Sequence, residues 1–229
     1  FSAVLAVDEF TSIKTDYTNA FDQLKEYQSI TNDYLFGYLS YDLKNDIEAV
    51  SSKNFDGLDF ADLYFFQPQR IVFIKENTVE FSYLKMIDDE IDDDFSTISA
   101  ITIAPEMTPK AHDLEIKLRL HKEAYHKKVN SVLEHIHRGD IYEVNFCQEF
   151  YAENATINPL EVYLHLNAIS EPPFATFLKC DEHYLLSASP ERYIKKEGTK
   201  IVSQPIKGTA KRLISEVDDA QIAIDLSRD

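Results

Sequence analysis

A helix with well-marked ends, followed by a series of short strands, constrains the fold of this chain more than any other feature. Asn158 supplies an N-cap, Pro159 occupies the first helical position and Glu161 the capping-box position. The pair Pro172-Pro173 prevents the helix from continuing beyond about Ser170. The residues that follow are rich in β-branched and aromatic side chains, in four segments: 174–179, 184–188, 193–196 and 200–204. This order predicts a largely antiparallel sheet after a single helix.

Strands and single helices also alternate along the rest of the chain. Apolar residues at helical spacing predict helices over about 18–28 and 122–138, the second of which ends at Gly139. A further strand is predicted from Gly139 to Phe150, where apolar and polar residues alternate, and Glu197-Gly198 is predicted as the last hairpin turn. The remaining predicted strands are 34–43, 62–66, 70–75 and 79–85. Strand-rich segments interrupted by single helices indicate an α+β fold.

An acidic run at residues 87–94 divides the chain. The run has neither the turn glycine nor the spaced ligands of a calcium-binding loop, so a metal site is the weaker interpretation. We predict a solvated linker instead, with little regular structure as far as Asp113. The linker separates an N-terminal region, 1–110, from a second region, 111–229.

Composition excludes several classes of partner. A net charge of −17 argues against binding to nucleic acid or to an anionic membrane, both of which require basic patches. Two cysteines, Cys147 and Cys180, are too few for a disulfide framework and fit a reducing cytoplasm. We expect Cys147 to be a buried structural thiol on its strand. The sequence contains neither a signal peptide nor a long apolar run, so we expect a soluble cytoplasmic protein.

Histidines and serines offer weak candidates for catalysis or metal binding. His135 and His137 are two positions apart on a predicted helix, so they point to different faces and cannot share one ion. Ser187 and Ser189 have no histidine and carboxylate at a recognisable spacing, which argues against a serine hydrolase. We predict no metal ligands among these residues.

The segment 205–212, Pro-Ile-Lys-Gly-Thr-Ala-Lys-Arg, is the strongest candidate for chemistry. It follows a predicted hairpin over 193–204 and places Lys207 before a glycine and a hydroxyl residue. Lys211 and Arg212 add positive charge nearby, and neighbouring positive charge lowers the pKa of a lysine and makes it a better nucleophile. A lysine before a glycine, taken alone, is more often a solvated loop cation.

Five ordered blocks of the sequence resemble the chorismate-binding enzyme family, which includes component I of anthranilate synthase and of aminodeoxychorismate synthase. The sequence departs mildly from the family pattern at two positions: at Cys147, where serine or threonine is usual, and at Glu149, where arginine is common. The blocks are FGYLSYDL at 36–43, GDIYEVNFCQEF at 139–150, PPFATFL at 172–178, SASPERY at 187–193 and PIKGT at 205–209. In the last block, lysine resembles the aminodeoxychorismate synthase branch, whereas anthranilate and isochorismate synthases typically carry alanine. The chain covers about the first half of the family pattern.

The resemblance implies a two-sheet α/β sandwich that is incomplete in this chain. It also implies that chorismate and ammonia are converted to 4-amino-4-deoxychorismate, for 4-aminobenzoate and folate biosynthesis, with ammonia supplied by a glutamine amidotransferase subunit. Lys207 would form a covalent intermediate, and Gly208 and Thr209 would line the substrate pocket. The segment Pro172, Pro173 and Phe174 would be an effector pocket for tryptophan, or only a turn that ends the helix. Mg²⁺ is the expected cofactor, with its ligands in the C-terminal half of the family pattern.

Two alternatives remain open at this point. Anthranilate or isochorismate synthase activity is the first, and Lys207 is the feature that argues against it. The second is a non-catalytic fragment that binds a glutaminase subunit or tryptophan.

Overall fold

The computed structural model describes residues 3–102, 114–206, 210–213 and 215–228. Its helices alternate with antiparallel strands, which confirms the predicted α+β class. The chain divides into two compact units: Phe1–Glu106 with Leu178–Leu185, and Met107–Phe177 with Leu186–Asp229. The assignment of residues 1–110 and 111–229 to two regions of the family remains a prediction. No described helix is long and apolar enough to cross a membrane.

The first unit contains a four-stranded antiparallel sheet. Its strands are β1 (Ala3–Thr15), β2 (Phe36–Leu39), β3 (Leu63–Lys75) and β4 (Thr78–Tyr83). The long strand β3 pairs with β1 along its whole length on one side. On its other side, β2 pairs with the first part of β3 and β4 with the last part. Because β3 has neighbours on both sides, its almost continuous aromatic and β-branched run supplies most of the buried residues of this unit.

Pro68 explains why the sequence predicted two strands where the structure has one. A proline cannot donate to a strand ladder, so a proline inside a central strand requires an irregularity. The ladder with β1 shifts register between Glu9 and Thr11, directly opposite Pro68. On the other side of β3, β2 pairs no further than Phe66, and the pairing with β4 starts only at Arg70. The proline therefore lies where no ladder hydrogen bond is needed from it, and 62–66 and 70–75 belong to one strand.

Short helices complete the first unit, and one of them corrects a prediction. The helices are α1 (Ala20–Thr31), α2 (Lys44–Ile47), which follows a 3-10 turn at Tyr41–Leu43, and α3 (Ile91–Ala100). The acidic run 87–94 is not a linker: it forms a 3-10 turn, Asp88–Glu90, and the first turn of α3. Acidic residues are favourable at a helix N-terminus, because the backbone N–H groups there carry partial positive charge.

The second unit contains regular helices, but its described strands form only two-stranded sheets. Helix α4 (Lys122–Arg138) ends as predicted at Gly139, whose φ of 82° provides the left-handed cap. The structure also contains α5 (Pro159–Ser170), α6 (Glu216–Leu226) and three pairs of strands. The pairs are β5 (Lys117–Leu118) with β6 (Phe150–Tyr151), β7 (Phe174–Cys180) with β8 (His183–Ser189), and β9 (Arg192–Glu197) with β10 (Lys200–Gln204). Of the β7–β8 pair, residues Leu178–Leu185 belong to the first unit. The last hairpin turns at Gly198-Thr199, one residue later than predicted, because Glu197 still pairs with Lys200.

The predicted strand after Gly139 was largely wrong. Of its residues, only Phe150 pairs with another strand in the described part of the chain. Tyr142, expected on the apolar face, is 92% exposed, and Cys147 is exposed rather than buried. An alternating pattern produces a strand only where a partner strand takes up its hydrogen bonds, and here a partner extends over two residues. The buried thiol is Cys180, which packs with Tyr64 and Phe66 in the first unit.

Candidate functional site

The candidate site lies at the end of the β9–β10 hairpin in the second unit. Strand β10 ends at Gln204, and Pro205 and Ile206 continue the chain towards the predicted nucleophile. Lys207, Gly208 and Thr209 lie outside the described residues, so their predicted roles remain predictions. The structure describes what surrounds this segment in the sequence: the hairpin before it, and residues 210–213 and helix α6 after it.

The hairpin carries an irregularity just before this segment. Val202 pairs with Lys195, but Gln204 pairs with Arg192, so β9 contains one more residue than β10 over the same interval. A bulge of this kind changes the direction of nearby side chains and increases the local twist. Gln204 therefore leaves the hairpin directly opposite Arg192.

Arg192 links two of the sequence blocks and the last residue of β10. Its Nε atom donates a hydrogen bond of 2.9 Å to Oε1 of Gln204, in the residue before Pro205. Its Cζ atom lies 4.6 Å from the centroid of the Phe174 ring, within the range of a cation–π contact. The blocks SASPERY and PPFATFL thus meet at this guanidinium group, which also contacts the residue that precedes PIKGT. Sequence reasoning did not single out Arg192, although the residue stands inside the Ser-Pro-Glu-Arg block that was recognised.

The turn that leads into β9 is fixed by its own residues. The Ser189 hydroxyl donates to the Glu191 carbonyl oxygen at 3.1 Å and accepts from the Glu191 amide at 3.2 Å. Pro190 between them has a restricted φ, which reduces the freedom of the turn further. Ser189 therefore has a structural contact, and the start of β9 at Arg192 is held in place.

The segment Pro172, Pro173 and Phe174 directly follows the end of α5. Glu171 adopts a left-handed conformation with a φ of 40°, and its amide donates to the Asn167 carbonyl oxygen at 2.9 Å. The prolines then lead into β7, which starts at Phe174. A helix-terminating turn is thus present at this place, and the role of the segment in effector binding remains a prediction.

Beyond the undescribed lysine, Arg212 is paired with a carboxylate of α6. Its Nε atom lies 2.7 Å from Oδ2 of Asp219, and the Leu213 amide donates to Oδ1 of Asp219 at 2.9 Å. Asp219 is largely covered, with 17% of its side chain exposed. A cavity of about 360 Å³, lined by Lys211, Arg212, Asp219 and apolar residues of α6, lies beside the pair. Asp219 therefore offsets the charge of Arg212.

The described residues do not form a metal site. Among residues 3–102, 114–206, 210–213 and 215–228, no group of three or more His, Cys, Asp or Glu side chains is placed to hold a metal ion. His135, one of the histidines considered above, instead has its Nδ1 atom 2.8 Å from Oδ2 of Asp140 at the end of α4. The expectation of Mg²⁺, with its ligands in the C-terminal half of the family pattern, remains a prediction.

Comparison with known proteins identifies the family. A family model described as chorismate binding enzyme matches residues 4–229. This chain belongs to the chorismate-binding enzyme family. The match extends over both units, so the five blocks recognised in the sequence belong to one family pattern.

Relatives within the chorismate-binding family carry two different names. An anthranilate synthase component I-like protein of Synechocystis is 30% identical over 191 residues, which is 83% of this chain and 39% of that protein. Aminodeoxychorismate synthase component 1 of Escherichia coli is 37% identical over 106 residues, 46% of this chain and 23% of that protein. The chain therefore spans less than half the length of these relatives, and both branches of the chorismate-binding family are represented among them.

A solved structure supports the fold. The chain superposes on anthranilate synthase component I from Streptococcus pneumoniae with a TM-score of 0.79 and 17% identity. The match covers 99% of this chain and 57% of the other. The predicted fold type, incomplete in this chain, is confirmed.

Proposed function

We propose that this chain is part of aminodeoxychorismate synthase component I, which converts chorismate and ammonia to 4-amino-4-deoxychorismate. The observation that carries the proposal is Lys207 in the block PIKGT, in a chain of the chorismate-binding family. A side chain with a nucleophilic nitrogen at this position permits covalent catalysis, which alanine would not. The chain would supply the lysine, and the whole protein would carry out the reaction.

The reaction is two successive displacements. The neutral amine of Lys207 adds to C2 of the chorismate ring, the two conjugated double bonds shift, and the C4–O bond breaks. The hydroxyl group leaves as water with a proton, and Nζ of the lysine, having lost a proton, remains bonded to C2. Ammonia then adds at C4, the double bonds shift back, and the C2–N bond breaks with return of a proton to the lysine. The net change replaces the C4 hydroxyl by an amino group and releases water.

The charge of the chain affects how chorismate can bind beside Lys207. The chain carries a net charge of −17, which repels a dianion such as chorismate, so local cations are needed where the substrate binds. Lys211 lines the cavity beside α6, and Arg212 shares its charge with Asp219. We propose that Lys211 rather than Arg212 supplies the nearby positive charge, with Gly208 and Thr209 lining the pocket.

The proposal includes a partner and a cellular location. Ammonia would come from a glutamine amidotransferase subunit, and the reaction would take place in the cytoplasm, as part of 4-aminobenzoate and folate biosynthesis. The segment Pro172, Pro173 and Phe174 would serve as a tryptophan site in the same protein, in addition to ending α5.

Anthranilate synthase activity is the second candidate. It is favoured by the Synechocystis relative, which aligns with far more of this chain than the Escherichia coli relative does. Lys207 argues against it, and the product distinguishes the two: anthranilate has lost the pyruvyl group, whereas 4-amino-4-deoxychorismate retains it.

The test is a search for the covalent intermediate in the natural full-length protein. We expect intact mass spectrometry after incubation with chorismate, without ammonia, to show a gain of one chorismate minus one water. Peptide mapping is expected to place this gain on Lys207, and Lys207→Ala is expected to abolish both the gain and the amination. Lys200→Ala is the matched control, since it removes an exposed cation at the start of β10 but leaves the nucleophile, and it should still form the adduct. Anthranilate as the product, or no adduct in the wild-type protein, would contradict the proposal.

A further inference from the structure

We infer that Arg192 is a positioning residue for the lysine-bearing segment: it ties the last residue of β10 to the first residue of β7. The inference rests on the proposed function, because it concerns the rate at which Lys207 forms its covalent adduct. Arg192 would not touch the substrate. It would act through Gln204 and the backbone that follows.

The first contact is the hydrogen bond to Gln204. Arg192 and Gln204 are directly opposed in the β9–β10 ladder, and Nε of Arg192 donates to Oε1 of Gln204 at 2.9 Å. Gln204 is exposed, and the Nε–H group of Arg192 is a hydrogen-bond donor to its side-chain oxygen. A hydrogen bond with a charged donor is about twice as strong as a neutral one. Arg192 therefore restrains the rotamer of the residue at which β10 ends.

The second contact is with Phe174. The guanidinium carbon lies 4.6 Å from the ring centroid, and both side chains are half-buried. Phe174 is itself fixed from the other side, because it follows Pro172-Pro173 and begins β7. Arg192 is held between a rigid aromatic ring and the end of β10. A planar guanidinium can stack on a ring and donate through Nε at the same time, whereas an ammonium group cannot.

Because of the position of Gln204 in the chain, these contacts restrain the direction in which the backbone leaves β10. Gln204 precedes Pro205, and a residue before proline is already restricted to extended conformations. The register shift between Val202 and Gln204 sets the direction in which the chain leaves the hairpin. Small errors in the placement of a reacting group, about 1 Å, can reduce a rate about a hundredfold. A residue that fixes the exit of β10 is therefore placed to affect the rate at Lys207 without changing substrate affinity.

The experiment compares variants of the natural full-length protein, with ammonium chloride as the nitrogen source. Arg192→Lys keeps the charge but removes the planar group and its Nε donor. We expect kcat and the single-turnover rate of adduct formation to fall together by about tenfold or more, with KM for chorismate changed less than about threefold. Gln204→Met, a change at an exposed position, should lower the same two rates while leaving the contact of Arg192 with Phe174 intact. Adding Gln204→Glu to Arg192→Lys should restore part of the loss, since a carboxylate can pair with the lysine.

Lys195→Gln is the matched control, because Lys195 is a cation on the same strand that is paired with Val202 in the ladder and whose Nζ lies 2.7 Å from Oε1 of Glu197. It should leave kcat within about twofold of the wild type. If Arg192→Lys and Gln204→Met lower only the melting temperature and leave both rates unchanged, the positioning role is wrong while the proposed function stands. If the wild-type protein forms no adduct, the proposed function itself has failed, and the positioning role fails with it.

Discussion

The Tyr64 hydroxyl donates a hydrogen bond of 2.7 Å to Oε2 of Glu9, across the β1–β3 ladder. Tyr64 is 6% exposed and belongs to the cluster formed with Phe66 and Cys180. Glu9 lies at the register shift of β1, where its other carboxylate oxygen accepts from Ser12 at 2.6 Å. Burial and the adjacent Glu9 carboxylate both raise the pKa of Tyr64 well above its usual range. The sheet is thus built around a tyrosine that must stay protonated.

Stability should decrease in alkali because of this group. The folded state keeps the Tyr64 proton to higher pH than the unfolded chain, in which tyrosine titrates near 10.0. The unfolded state then binds fewer protons, so the free energy of unfolding is fully maintained below that pH and falls as the pH rises above it. Burial also raises the pKa of Tyr38, and burial together with Asp94 raises the pKa of Tyr83 to about 12, which adds to the effect. Urea unfolding from about pH 8 to about pH 11 measures this slope.

Tyr64→Phe separates the contribution of this hydroxyl. We expect a loss of about 2 kcal/mol at neutral pH, because the Glu9 carboxylate loses a donor, together with a shallower decline in alkali. Tyr17→Phe is the control, since Tyr17 is 43% exposed, and it should alter neither quantity by more than about 0.5 kcal/mol. A Tyr64→Phe protein with the alkaline slope of the wild type would show that this group is not the cause.

Arg70 should be essential to the docking of α3. Its guanidinium contacts the carboxylates of Asp8 and Glu90, and its Nε atom lies 3.2 Å from Oδ2 of Asp94. Arg70→Met would leave these carboxylates close together without their shared cation, and we expect a loss of about 2 kcal/mol of unfolding free energy. Salt should restore part of the loss, because it screens the repulsion that remains.

The comparison for Arg70→Met is Lys75→Met on the same strand, where Lys75 and Glu80 are 3.8 Å apart and 50% of the lysine side chain is exposed. Exposed ion pairs contribute little, so this change should cost less than about 1 kcal/mol. Urea unfolding in low and high salt measures both variants. Equal losses of unfolding free energy for the two variants would show that the Arg70 cluster stabilises the protein no more than an exposed ion pair does.

Gly37 should tolerate no side chain. It lies in β2 opposite Phe65, and a Cβ atom there would overlap the carbonyl oxygen of Tyr64 and approach Cα of Phe65 to 2.7 Å. These are backbone atoms of the central strand and cannot move aside, so Gly37→Ala should cost about 3 kcal/mol or prevent folding. Gly57→Ala is the control, because its Cβ would first meet the Phe55 ring at 2.9 Å, and a side chain can rotate. Soluble yield and circular dichroism measure the difference, and a stable Gly37→Ala protein would refute this packing.

Asn158 should stabilise α5 through its side chain. Oδ1 accepts from the amides of Leu160 at 3.1 Å and Glu161 at 3.3 Å, as the N-cap pattern in the sequence predicted. Asn158→Ala removes this acceptor and should cost about 1 kcal/mol. His165→Ala, an exposed change within the same helix, should stay within about 0.5 kcal/mol. Thermal unfolding of both variants distinguishes a cap from a general effect on the helix.

Much of the local structure could be predicted from the sequence because its signals act within a few residues. Asn158 and Pro159 fixed the start of α5, and Pro172-Pro173 its end, since capping and the missing proline amide act on the nearest turn. Gly139 fixed the end of α4 in the same way. The five sequence blocks identified the family before any contact was known.

Tertiary structure decided the features that depend on distant partners. Strand β1 was not predicted, because Asp8 and Glu9 interrupt its apolar pattern, and it forms by pairing with β3 some 60 residues further along the chain. The run 139–150 had a better strand pattern but found a partner only at its end, which left Cys147 exposed. The meeting of Phe174, Arg192 and Gln204 was likewise invisible in the sequence. Caps and turns are set by neighbouring residues, whereas pairing and burial depend on which distant segments meet, and only the folded chain decides that.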